Sequence, residues 1–98
     1  MMPLDRAAAT DRLRRALLAF QSAQSLSLAA HRRLKALPQL EVDAFWDGPG
    51  RRIEATMRSA SAEVVAAFKT FSAAGLVAAA GDRHLVTAAQ RHLAESTA

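Results

Sequence analysis

The 98-residue sequence has no cysteine, no tyrosine, a single tryptophan, four glycines and three prolines. Without thiols there is no disulfide scaffold, thiolate nucleophile, thiol redox sensor or cysteine-based zinc site. Long hydrophobic runs are missing too. The longest, Ala73 to Ala80, falls far short of the roughly 20 residues of a membrane helix, and Met1 to Arg6 holds no apolar signal segment. A soluble, cytoplasmic protein without a membrane partner is expected. His31, His84 and His92 share no metal-ligand spacing. Glu41 and Asp43, two apart, point to different sides of a helix. Gly48-Pro49-Gly50 is too short to cradle phosphate, and proline removes a donor. No grouping of serine, histidine and acid suggests a nucleophile. The expectation is a protein without enzyme activity, cofactor or metal.

What is present favours helix. Hydrophobic residues make up 51% and charged residues 22%, a globular balance that excludes disorder of the whole chain. With 24 alanines and 12 leucines against four phenylalanines, most apolar positions are small and helix-forming, so the core should be thin. The size allows one small fold whose function lies on its surface or at an interface. The net charge of +4 is uneven: residues 1–36 carry +5, 37–52 carry −1, and the remainder balances. Such a basic segment attracts polyanions, or serves solubility alone.

Along the chain, Leu13, Ala16, Leu17 and Phe20 fall at the spacing of one helical face. Near Gln21 to Ser27 the stripe loses phase. Leu26, Ala30, Leu34 and Leu37 form a second one, so either the helix bends or two helices meet there. Pro38 suits the first turn of a new helix, with Leu40, Ala44 and Phe45 facing inward. Asp47-Gly48-Pro49-Gly50 reads as a turn and Arg51 to Arg58 as a short helix, broken at Ser59 to Ser61. Ser61 then caps a helix with Val64, Ala67, Phe68 and Phe71 on one face, up to a stop at Gly75. Leu76 to Ala79 and His84 to Thr87, separated by Ala80-Gly81-Asp82, read as a hairpin, after which Thr87 caps a last helix.

Three helices followed by a hairpin is the order of a winged helix-turn-helix. Val64, Phe68, Phe71 and Ala74-Gly75-Leu76-Val77 resemble the end of a recognition helix passing into a wing. Leu37 to Val42 with Phe45 to Gly50 resembles the first helix and turn of the multiple-antibiotic-resistance (MarR-like) regulators, and Leu85-Val86-Thr87 is similar to their step from strand to helix. The resemblance spans residues 26–93. It implies a mainly α winged helix-turn-helix, a three-helix core plus β-hairpin wing in residues 37–98, behind an N-terminal helical dimerisation arm in residues 1–36 built on Leu13, Leu17 and Phe20. It further implies a homodimeric transcriptional repressor bound to double-stranded DNA, with a small apolar or aromatic effector.

In that reading the helix Ser61 to Thr70 enters the major groove through Ser61, Ala62, Glu63, Val65, Ala66, Lys69 and Thr70. Arg51, Arg52, Arg58 and Arg83 at the wing tip hold the backbone. That helix offers one lysine and no arginine, so its outer face fits a protein partner as well. The alternative is therefore an interaction module that modulates another regulator without binding DNA. A third and weaker reading places an enzyme or ligand-carrier pocket beside Trp46, a residue that better suits a core anchor.

Overall fold

The computed structural model describes residues 5–96, folded into four helices: α1 (Arg6–Leu34), α2 (Gln39–Asp47), α3 (Pro49–Ala73) and α4 (Ala80–Ser96). Helix α1 starts where Asp5 accepts the Ala8 backbone N–H at 3.1 Å, a side-chain N-cap. It then runs unbroken through the serine-rich stretch. Of the two arrangements expected for the phase change at Gln21 to Ser27, a meeting of two helices is excluded, because α1 is continuous there.

A second continuity replaces the expected break in α3. Arg51 to Arg58 and the segment after Ser61 are one helix, and Ser61 is fully buried in its middle rather than capping it. Its hydroxyl donates to the Met57 carbonyl at 2.7 Å, one turn back, which satisfies a polar group that burial would otherwise penalise. Only Gly48 separates α2 from α3, and Pro49 occupies the first turn, where its missing N–H costs nothing.

Helix α3 ends as the glycine signal predicts. Gly75 sits at φ +78°, its N–H donates to Ser72 O at 2.9 Å, and that of Leu76 reaches back to Phe71 O at 3.4 Å. This is a Schellman closure, with Leu76 packed against the core. Arg6 Nε donates to the Ala74 carbonyl at 3.1 Å and ties the start of α1 to this end of α3.

The winged helix-turn-helix is overturned at the next step, because the described residues contain no strand. Leu76 to Ala79 is a connection, and Ala80-Gly81-Asp82 opens α4 instead of turning a hairpin. Asp82 sits in the first helical turn, where its charge complements the dipole. Val86 and Ala89 bury one helical face against α3, and Thr87 lies inside the helix, donating to Arg83 O at 3.0 Å. Alanine-rich flanks and an apolar period near 3.6 outweigh one glycine beside an aspartate.

Helices α1 and α3 pack antiparallel along their length, and α4 returns along α3. The core joins Leu13, Leu17 and Phe20 of α1 to Met57, Val64 and Phe71 of α3 and Val86 of α4. The molecule is a rod of 57 × 23 × 20 Å. Its radius of gyration is 16.1 Å, against about 12.6 Å for a compact domain of this length.

Candidate protein-docking groove

At the far end of the rod, α2 is apolar in composition yet has no buried residue. Leu40 is 84% exposed and Ala44 is also outside, against the inward orientation their spacing suggested; Phe45 and Trp46 are half-buried. The Trp46 ring is a clip between helices. It packs against His31 of α1 with centroids 5.0 Å apart and the ring planes tilted by 49°, meets Phe45 edge-on at 5.1 Å, and lies on the backbone of α3 at Gly50, where a side chain would collide with it. His31 Nδ1 is 2.7 Å from the Ser27 carbonyl, which fixes the ring that Trp46 rests on.

From this end an open groove follows the seam between α1 and α3. The part beside α2, 250 Å³, is lined by Leu26, Ala30 and Leu34 of α1 and by Leu37 just beyond it, with Phe45 and Ile53 opposite. These first four are the second apolar stripe of the sequence. A neighbouring cavity of 180 Å³ continues past Ala23, Arg52 and Thr56. It reaches a shallow stretch between Ala19 and Ser59. No α4 residue lines these three cavities, so this side of the seam stays open where α4 covers the other.

One turn of α3 beyond Ser59, the Arg12 guanidinium spans the seam to Glu63, with Nε donating to Oε1 at 3.0 Å, and its Nη1 donates to Thr70 Oγ1 at 3.2 Å. The only charged residues lining the open stretch are Arg33 and Arg52. Leu26, 59% exposed, stands on its rim.

The residues selected for DNA readout are dispersed by this arrangement. Ser61 is inside the core, Val65 is half-buried, and Glu63 and Thr70 are held by Arg12 because α1 lies along that side of the supposed recognition helix. Ala62, Ala66 and Lys69 remain exposed on the outer side of α3. Arg51 and Arg52 are exposed in its first turn, and Arg58 lines a separate pocket with Glu54 and His92. Arg83 lies in the first turns of α4, not on a wing. Leu13, Leu17 and Phe20, the proposed dimer contacts, are used by the chain's own core.

Among the described residues no cluster of three or more His, Asp or Glu side chains could hold a metal, and no helix is long and apolar enough to cross a membrane. Sequence reasoning missed Ile53, Thr56 and Arg52 as groove residues, although the phase change to Leu26, Ala30, Leu34 and Leu37 was the visible signal for the other wall. Comparison with known proteins returns no matching family model, curated sequence or solved structure.

Proposed function

We propose that this protein is an interaction module that docks a partner protein along the open α1–α3 groove. The carrying observation is that the second apolar stripe, Leu26, Ala30 and Leu34 of α1 with Leu37 beyond it, lines an open groove that no α4 residue covers, Ala30 and Leu34 buried at its base and Leu26 and Leu37 exposed at its edge. Exposed leucines scattered singly need no explanation, but a row of apolar side chains facing one furrow is the composition of an interface centre.

The furrow fits a macromolecule better than a metabolite. Small-molecule sites are concave and carry convergent polar groups. Here the part beside α2 has Arg33 as its only polar lining residue, and the furrow continues past it along the seam as a shallow stretch without charged lining. Duplex DNA is disfavoured by the loss of the wing and by α1 lying across Glu63 and Thr70.

A photo-crosslinking amino acid placed at Leu26 or Thr56, and at Lys69 or Arg91 as controls, tests the reading in the cells of origin. Adducts with a protein from the two groove positions and none from the controls are expected. Adducts from the controls alone, or from all four positions equally, would remove it.

A further inference from the structure

We infer that the partner presents an amphipathic helix of about four turns whose apolar stripe is flanked by acidic residues. The inference rests on the docking function above and names its ligand class. Length sets the first constraint. The α1 wall runs from Ala19 to Leu34, which at 1.5 Å per residue is about 22 Å, the span of a helix of about 15 residues.

Depth sets the second. Ala19, Ala23, Ala29, Ala30, Ala55 and Ala60 form much of the floor, and such small side chains let a helix axis come close, while Leu26, Ile53 and Phe45 supply the bulk that its i, i+3, i+4 and i+7 anchors would pack between.

Charge sets the third and selects the partner. Arg33 and Arg52 flank the apolar floor from the two walls, with no acid among the lining residues to neutralise them. The whole chain is at +4, so an acidic helix is steered toward it and then held at two cationic points near the α2 end. At the other end the cation Arg12 is already satisfied by Glu63.

A second copy of the chain does not match this pattern. The exposed side of α1 and its C-cap carry Arg14, Arg15, Arg32 and Lys35 against one acid, Asp11, and that excess of cations repels Arg33 and Arg52. The outer side of α3 offers Arg51, Arg58, Ala62, Ala66 and Lys69 against one exposed acid, Glu54, and the exposed acids of α4, Asp82 and Glu95, stand at opposite ends of that helix with Arg83, His84 and Arg91 between them. Helix α2 is acidic through Glu41, Asp43 and Asp47, but its nine residues reach only about 13 Å, too short for the groove.

The test measures fluorescence anisotropy with three labelled 18-residue peptides that share one apolar stripe: glutamate-flanked, lysine-flanked, and glutamate-flanked with a central proline. The acidic peptide should bind at least tenfold tighter than the other two and weaken with added salt. The double variant Arg33→Glu/Arg52→Glu should weaken it at least tenfold and bring the lysine-flanked peptide up. Circular dichroism of that variant should match the parent, since both side chains are exposed. Leu26→Asp should weaken the acidic peptide without changing the fold. Failure of all three peptides, or equal binding of acidic and basic ones, overturns the helix assignment, while the crosslinking result decides the docking function separately. Sedimentation of the free protein as a dimer that the double variant dissociates would assign the groove to a second copy and overturn it too.

Discussion

The indole of Trp46 lies so close to the backbone of Gly50 that a Cβ there would overlap its Cε3 atom. In an exposed helix, replacing glycine by alanine stabilises by up to about 1 kcal/mol. At residue 50 that gain opposes an overpacking cost of about 1–3 kcal/mol. Trp46 cannot swing away freely, because His31 and Phe45 also hold it. Gly50→Ala should therefore lower stability by about 1–2 kcal/mol and change the Trp46 emission maximum. Gly81, with open space around its Cα, supplies the control: Gly81→Ala should be neutral or stabilising by a few tenths of a kcal/mol. Urea unfolding of both variants, read by circular dichroism, checks the opposite signs.

Gly75 makes a different demand, on backbone rather than space. At φ +78° an alanine occupies left-handed geometry at a cost of about 1–2 kcal/mol. The nearest atom to an added Cβ is the flexible end of Arg6, at 3.3 Å, so crowding contributes little. Gly75→Ala should lower the unfolding midpoint without altering helix content, because the helices on both sides of the turn keep their own hydrogen bonds. An unchanged midpoint would mean that the turn closing α3 relaxes to another geometry.

Leu18 and Phe20 are two residues apart on α1 and should respond oppositely to truncation. Phe20 is 1% exposed, within the core, and Phe20→Ala should cost about 3–5 kcal/mol. For a small domain that is a large share of the total, so part of the population should be unfolded at 25 °C. Leu18 is 59% exposed, and Leu18→Ser should stay within about 0.5 kcal/mol of the parent. Denaturant titration of the two variants separates a core wall from a solvated one.

The stripes of Leu13, Leu17 and Phe20 and of Val64, Ala67 and Phe71 were legible because each repeats over two helical turns and is buried throughout. The Gly75 stop was legible because that residue acts through its own backbone, whereas Pro49 and Gly50, read as part of a turn, belong to the first turn of α3. Ser59 to Ser61 misled because a serine's preference for caps weighs little against a buried site where its hydroxyl can bond one turn back. The wing was misread for a related reason: a glycine-aspartate pair signals a turn locally, but the burial of Val86 and Ala89 along α3 decides the segment from outside it. As for the groove, the shift from Phe20 to Leu26, Ala30, Leu34 and Leu37 was visible, yet sequence alone does not say which side of a helix a neighbour leaves uncovered.

The Arg12 and Glu63 pair bears on both stability and the abandoned readout face. The two side chains are 40% and 46% exposed, so screening limits their coupling to about 0.2–1 kcal/mol. Arg12 also donates to Thr70, so Arg12→Ala should cost more than Glu63→Ala, the second removing one partner and the first removing the donor to both. A double-mutant cycle at low salt should return a coupling in that range, and repetition at 1 M salt should shrink it, since exposed charges are then screened within about 3 Å. A coupling of zero at low salt would mean that the pair adds nothing to stability and that α1 is held on α3 by the buried core alone.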